Sequence, residues 1–285
     1  MWTHCHEQMQ AAARAYVPRS LGARGLRLVL LGDSITESWR GTSVCARRHR
    51  CKGVPEILAS TLGALTDEPP LTLAISGDQT QHLLWRLRNG ELSPTMKTDV
   101  AAVFVLLIGT NNLARGHSSS QTLAGILAVS RYILTETRGK LLINSLLPRG
   151  DHDKHWKDRQ HATSNSIQYL YKHYDQSFVP SIIEMNEALR LMYDQSFMPS
   201  IVEVNEALRL MTQRAPSPGE LWRSFPNRVS HIDCSEDFFP PSARLGSAPI
   251  VRPELMPDLL HPNAAGHRLW AACIERGLRN VSWVK

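Results

Sequence analysis

The segment GDSITE, residues 32–37, places a serine hydroxyl directly after an apolar run. A serine at the start of a helix can attack a carbonyl carbon. Its own N–H points outward from the helix end and can donate to an oxyanion. Seen alone, the segment is equally compatible with Asp33 or Ser34 acting only as a helix cap.

A second reactive pair lies near the end of the chain, in the segment DLLHPN, residues 258–263. Asp258 and His261 on one turn can place a carboxylate beside an imidazole ring, where it fixes the tautomer and stabilises the imidazolium ion. The pattern predicts Ser34 as nucleophile, His261 as base and Asp258 as the group that orients the base. The segment also suits an ordinary helix N-terminus, because proline is frequent in a first turn, and the two interpretations are compatible.

Two further segments offer hydrogen-bond donors for an oxyanion hole. Gly77 in SGDQT (76–80) allows close approach of the backbone to a ligand, and Asn111 in GTNN (109–112) carries a side-chain amide. We expect the oxyanion hole to comprise the N–H of Ser34, the N–H of Gly77 and the amide of Asn111. Taken singly, each segment could be a plain turn.

Five apolar segments are predicted strands, and the first four are continuous apolar runs, as expected for strands buried on both faces of a parallel sheet. They are Leu26–Leu31, Leu71–Ile75, Ala101–Ile108, Lys140–Leu147 and Val229–Asp233. Segments with helical spacing lie between them, which favours an α/β fold. The reactive residues follow successive strands, and ligands bind beyond the carboxyl ends of such strands. We therefore expect one site at that edge.

Several segments carry more specific structural predictions. Leu123–Thr137 has helical spacing, with Gly139 as its stop. The segments 174–192 and 193–211 agree at sixteen of nineteen positions, and this tandem duplication predicts a helix over Ser181–Met192 and again over Ser200–Met211. Self-association through the added apolar face is one possible consequence of it.

The overall organisation predicted is one domain over residues 1–285, with the duplicated segment at 174–211. The stretches 214–219 and 240–257, rich in proline and serine, are predicted loops.

Composition narrows the class of protein. The 285 residues include 42% hydrophobic and 20% charged residues, typical of a globular protein. The longest apolar run is too short to span a membrane, and no secretory signal is evident at the N-terminus. The net charge of +6 permits a nucleic-acid partner, but basic and aromatic residues do not interleave as in a base-stacking groove, so no nucleic-acid partner is expected.

The cysteines bear on compartment and metal binding. Five scattered cysteines with no signal segment are expected to be free thiols, which predicts a reducing compartment and a cytoplasmic location. Cys45, His49 and Cys51 match no four-ligand zinc pattern, so no metal and no cofactor are predicted.

Together the blocks GDS, the glycine of SGDQT, GTNN and DLLH resemble the signature of the SGNH, or GDSL-like, hydrolases, whose four named positions correspond to Ser34, Gly77, Asn111 and His261. Residues 76–92, the IGTNN stretch, LLPRG at 146–150 and the early Trp2 and His6 are similar to the catalytic subunits of intracellular platelet-activating-factor acetylhydrolase and their microbial relatives. The resemblance implies a three-layer α/β/α flavodoxin-like fold with a five-stranded parallel sheet.

By the same resemblance, Ser34, His261 and Asp258 form a catalytic triad that works through an acyl-enzyme. The family needs no metal, and a homodimer is possible by analogy. The expected activity is an esterase that removes a short acyl group, foremost acetyl, from a lipid, sugar or small alcohol. A carbohydrate O-acetylesterase, a lysophospholipase and a catalytically idle binding subunit of the same fold remain alternatives.

Overall fold

The structure is a computed structural model that describes residues 1–18, 25–150, 197–213, 219–239 and 251–283. Its centre is a parallel sheet of five strands, which are β1 (Arg27–Gly32), β4 (Leu71–Ala74), β5 (Ala102–Leu107), β6 (Lys140–Asn144) and β7 (Val229–Ile232). Across the sheet they lie in the order β4-β1-β5-β6-β7. Counted along the chain, the sheet order is 2-1-3-4-5, which is the flavodoxin-like arrangement.

The apolar runs form strands because both faces of the sheet are covered. All residues of β1 and β5 are buried. β1 lies between its two neighbours, so that Val29 is aligned with Leu71 on one side and with Phe104 on the other. A separate antiparallel hairpin, β2 (Thr42–Ser43) and β3 (Ala46–Arg47), follows the first strand.

Helices cover the sheet in two layers. The helices are α1 (Trp2–Arg14), α2 (Ser34–Glu37), α3 (Val54–Ser60), α4 (Thr80–Arg86), α5 (Pro94–Thr98), α6 (Thr110–Ala114), α7 (Ser119–Glu136), α8 (Met198–Thr212), α9 (Glu220–Ser224) and α10 (Ala264–Asn280). In one layer α4 packs against α7 and α7 against α8, whereas α3 packs against α10 in the other. None of the helices in these described ranges is both long and apolar enough to cross a membrane.

The predicted elements agree closely with the observed ones. Each of the five predicted strands is present, with its ends shifted by at most three residues. The helix predicted over Leu123–Thr137 is α7, which begins earlier because Ser118 and Gln121 form a capping box, and which ends at Glu136, ahead of Gly139. The α/β/α fold class is thereby confirmed.

The second copy of the duplicated segment forms α8 and packs into the core. Its Asn205 accepts a hydrogen bond from the N–H of Leu146 at 2.7 Å and donates one to the Leu146 carbonyl at 2.9 Å. The copy at 181–192, and the predicted loop residues 214–218 and 240–250, lie outside the described residues.

The expectation of free thiols is wrong for four of the five cysteines. Disulfides join Cys5 to Cys45 and Cys234 to Cys273, and only Cys51 is free. The partners are 40 and 39 residues apart, so only the fold brings them together. The prediction of a cytoplasmic location loses the support that free thiols gave it, because disulfides are rare in reducing compartments.

Candidate active site

The serine of the GDS block lies where β1 passes into α2. Ser34 is the first residue of this helix, and Asp33 caps it by accepting the Ile35 N–H at 3.0 Å. Gly32 is required by close approach, since a Cβ there would overlap the side chain of Thr36 and the carbonyl of Leu107. The cap and the reactive position are therefore two different residues, and the N–H of Ser34 has no acceptor within the helix.

His261 lies between Ser34 and Asp258. Its Nε2 is 2.9 Å from Ser34 Oγ and its Nδ1 is 2.7 Å from Asp258 Oδ2. The other carboxylate oxygen of Asp258 accepts the backbone N–H of His261 at 2.7 Å and that of Leu260 at 3.1 Å. Burial alone would raise the pKa of Asp258, but hydrogen bonds from the His261 side chain and from these two amides hold it well below its usual range.

The turn that carries this pair is held in an uncommon backbone conformation. Leu259 has a φ of +61°, which is unfavourable for a residue with a Cβ. Its carbonyl accepts the N–H of Gly150 at 2.8 Å, and its side chain packs on the hydrophobic core. The turn is not the first turn of a helix, because α10 begins only at Ala264, after the cap Asn263.

The two other predicted donors lie at the ends of the strands beside β1. Gly77 follows β4 with a φ of +85°, and apart from its chain neighbours no described residue has an atom within 4 Å of where its Cβ would be. Asn111 follows β5, is half-buried, and donates from Nδ2 to the carbonyl of Asp78 at 2.9 Å. Since β4, β1 and β5 are adjacent, these groups and Ser34 share one edge of the sheet.

The structure also shows a buried carboxylate near Ser34, that of Glu37, which the sequence analysis did not single out. Glu37 is completely buried and accepts hydrogen bonds from the hairpin residues Thr42, Val44 and Cys45, and from both the N–H and the hydroxyl of Ser76. Burial alone would raise the pKa of Glu37, but the Ser76 hydroxyl and the other donors lower it below its usual range. The sequence signal that could have identified Glu37 is its place, one helical turn after the candidate nucleophile Ser34.

Asp33 is predicted from the sequence as a possible cap, but the sequence gives no sign of its altered pKa. Within the described part of the chain, its buried Oδ2 has no hydrogen-bond partner. Burial, together with the nearby charge of Asp78, raises the pKa of Asp33 to about 7.

In the described part of the chain, neither His231 nor His267 forms a hydrogen bond to Ser34. The ring of His267 is within hydrogen-bond distance of the carbonyls of Asn263 and Ile35, and His231 Nε2 is 2.9 Å from Ser145 Oγ. Of these three histidines, only His261 lies within hydrogen-bond distance of Ser34.

One group of residues has the composition of a metal site. Cys5, Glu37 and Cys45 lie close enough to share an ion. The two sulfurs are joined in a disulfide, and both carboxylate oxygens already accept several hydrogen bonds. Donors so occupied do not fit a metal site.

Comparison with known proteins places this site in a family context. Residues 30–196 match the model of the GDSL-like Lipase/Acylhydrolase family. Subunit alpha1 of platelet-activating factor acetylhydrolase IB from Bos taurus is 28% identical over 167 residues, which are 58% of this chain and 59% of that protein. The chain thus matches about three-fifths of the length of this curated relative.

Solved structures share the fold at low sequence identity. A GDSL-like lipase from Bacteroides thetaiotaomicron is 15% identical with a TM-score of 0.55, and covers 96% of this chain and 97% of its own. A Bacteroides fragilis protein described as an acylhydrolase is 16% identical with a TM-score of 0.58, and covers 98% of both chains. With more than half of its residues matched by the family model, the chain belongs to the GDSL-like lipase/acylhydrolase family.

Proposed function

We propose that this protein is a serine esterase that removes a short acyl group, foremost acetyl, from a lipid, a sugar or a small alcohol. The observation that carries the proposal is the continuous hydrogen-bonded chain from Ser34 Oγ through His261 to Asp258. Family membership supports ester hydrolysis, and the name of the bovine relative supports acetyl as the acyl group.

The Asp258 carboxylate determines which nitrogen of His261 carries the proton in the hydrogen-bonded triad. The lowered pKa of Asp258 keeps its carboxylate ionised, so Nδ1 of His261 carries the proton that Oδ2 accepts. In the neutral ring, Nε2 is then a lone-pair acceptor directed at the hydroxyl of Ser34. A serine hydroxyl is a weak nucleophile unless such a base removes its proton during the attack.

The reaction then proceeds in two stages. Ser34 Oγ attacks the ester carbonyl, its proton passes to His261 Nε2, and the tetrahedral oxyanion accepts hydrogen bonds from the N–H groups of Ser34 and Gly77 and from the amide of Asn111. Collapse expels the alcohol, which takes the proton from Nε2. Water, deprotonated by the same nitrogen, then hydrolyses the acyl-enzyme and restores Ser34.

The proposal is tested by hydrolysis of p-nitrophenyl acetate, butyrate and octanoate by the wild type and by Ser34→Ala. Turnover should decrease with chain length and should drop in the variant by about 10⁶-fold, as in comparable triads. Ser60→Ala is a matched control, because the Ser60 hydroxyl bonds only within its own helix, to Glu56 and Ile57.

Each of the other outcomes has a definite meaning. If Ser34→Ala retains more than a tenth of the wild-type turnover, Ser34 is not the nucleophile. A preference for octanoate would replace the short-acyl assignment with a lysophospholipase-like one, and deacetylation of acetylated sugars alone would indicate a carbohydrate O-acetylesterase. A folded wild type that hydrolyses none of these esters would favour the idle binding subunit.

A further inference from the structure

The amide of Asn111 is oriented by a backbone carbonyl. Its Nδ2 carries two hydrogens, and one of them is donated to the carbonyl of Asp78 at 2.9 Å. That bond fixes which end of the amide faces the strand ends, and it leaves the second hydrogen for an incoming oxygen. The position of the Asp78 carbonyl therefore determines the direction in which the Asn111 amide, a proposed oxyanion donor, points.

Each carboxylate oxygen of Asp78 accepts a hydrogen bond from a different side chain. The indole Nε1 of Trp2 donates to Oδ1 at 2.7 Å, and Nε of Arg86 donates to Oδ2 at 2.7 Å. Asp78 and Arg86 are both completely buried. Water does not reach the Asp78 carboxylate in this arrangement, and the loop that carries Gly77 is anchored at its next residue.

The anchoring extends through α4 and back to the N-terminal helix. Arg86 also forms an ion pair with the buried Glu91, and its third nitrogen is 3.3 Å from the carbonyl of Gly32. Glu91 in turn lies 2.6 Å from Nδ1 of His6. The same guanidinium thus contacts the strand end before Ser34 and holds the loop beside it.

The charges explain why this arrangement is rigid. One buried guanidinium lies between two buried carboxylates, and moving the guanidinium away would leave both carboxylates buried without their cationic partner. Trp2 and His6 complete the set from one face of α1, with their rings stacked at 5.8 Å between centroids. These two side chains are the contribution of the N-terminal helix.

We propose that Trp2, Asp78, Arg86, Glu91 and His6 form a positioning network through which the N-terminal helix holds the Asn111 amide in line with the oxyanion. This inference rests on the proposed function, because it gives Asn111 its role. Trp2 and Asp78 are positioning residues in this scheme and touch no reacting atom. The network acts on the transition state alone, since Asn111 donates to charge that develops there.

The variant Trp2→Phe tests the network with the least disturbance. It removes the Nε1 donor but keeps an aromatic ring against His6 and Trp85. We expect kcat for p-nitrophenyl acetate to decrease about tenfold with KM unchanged, which is less than the ~10²–10³-fold cost of losing one oxyanion donor. Trp85→Phe is the matched control, because Trp85 packs on the same rings and its indole forms no hydrogen bond to Asp78.

A double-mutant cycle separates positioning from general weakening of the fold. In an Asn111→Ala background, Trp2→Phe should lose most of its effect on kcat, because the amide that the network positions is gone. If the two losses multiply, if Trp2→Phe changes KM alone, or if Trp85→Phe gives the same loss, the network does not act through Asn111 and the inference is overturned.

A spectroscopic readout tests the same bond without any turnover. The side-chain amide resonances of Asn111, assigned as the pair that Asn111→Ala removes, should shift in Trp2→Phe and stay in place in Trp85→Phe. Unshifted resonances in Trp2→Phe would overturn the inference.

The activity of Ser34→Ala towards p-nitrophenyl acetate distinguishes failure of the network from failure of the proposed function. If Ser34→Ala is inactive but Trp2→Phe is fully active, only the network is refuted. Full activity of Ser34→Ala refutes the proposed function and, with it, the role given to Asn111.

Discussion

Replacing Asp258 with asparagine should abolish most of the turnover while leaving the fold intact. Asp258 Oδ1 accepts two backbone N–H groups, and an asparagine oxygen can keep both of these bonds. The asparagine nitrogen then takes the place of Oδ2, which lies 2.7 Å from His261 Nδ1. A donor at that place stabilises the tautomer whose proton is on Nε2, and that nitrogen can no longer accept the proton of Ser34.

The magnitude follows from this exchange of tautomers. In a comparable triad, the same substitution lowers kcat by about 10⁴-fold, which corresponds to about 5 kcal/mol of transition-state stabilisation. Asp258→Ala provides the contrast. The Asp258 side chain is 50% exposed, so water can enter the vacated space and accept the Nδ1 proton. The alanine variant keeps the productive tautomer but loses the two backbone bonds.

The two variants should therefore rank in opposite orders in two assays. Asp258→Asn should hydrolyse p-nitrophenyl acetate more slowly than Asp258→Ala, yet unfold at a higher urea concentration. Both rates are to be compared with His261→Ala, which defines the loss of the base. An asparagine variant that keeps more than a tenth of the wild-type kcat, or that is faster than the alanine variant, would refute the assigned role of Asp258.

Three further predictions address the oxyanion hole, the disulfide and acid stability. Asn111→Ala should lower kcat by about 10²–10³-fold, and a change in KM alone would make Asn111 a substrate-binding residue. Cys5→Ser should lower the free energy of unfolding by about 4 kcal/mol, because the disulfide to Cys45 closes a loop between residues 40 apart; urea unfolding that matches the oxidised wild type would contradict this. Burial lowers the pKa of His267 to about 4. The imidazole of His267 therefore binds a proton more readily in the unfolded chain than in the folded one. The free energy of unfolding should decrease as the pH falls from 6.5 towards 4, by about 2 kcal/mol at pH 5. His267→Gln should show correspondingly less acid destabilisation in urea unfolding at pH 7 and pH 5, and an equal loss in both proteins would refute the assignment.

The presence of the strands and the place of the candidate site could be predicted because both follow local rules. Continuous apolar runs such as Ala102–Leu107 mark strands buried on both faces, and parallel strands bring their carboxyl ends to one edge. Ser34, Gly77 and Asn111 each follow a strand by a few residues, so their convergence needed no knowledge of side-chain packing.

The disulfides and the buried charges could not be predicted for the opposite reason. Cys5 and Cys45 meet only because α1 lies beside the hairpin, and a sequence pattern gives no distance between residues so far apart. The contacts of Trp2 and His6 were unpredictable for the same reason. Their early position suggested a resemblance, but their bonds to Asp78 and Glu91 span 76 and 85 residues. A pattern of residue types finds groups that react, whereas groups that hold them in place become evident only from the contacts.

This division has a physical basis that bears on the network around Asp78. A nucleophile, a base and an oxyanion donor need particular chemical types, so their residues are recognisable one by one. Holding a peptide still needs only buried charged and polar groups that are hydrogen-bonded to one another, and many residue combinations can supply that. Arg86 between Asp78 and Glu91 is one such combination, and Trp2 completes it from the first turn of the chain. The N-terminal helix therefore belongs with the candidate site in function, although no atom of it is expected to touch the substrate.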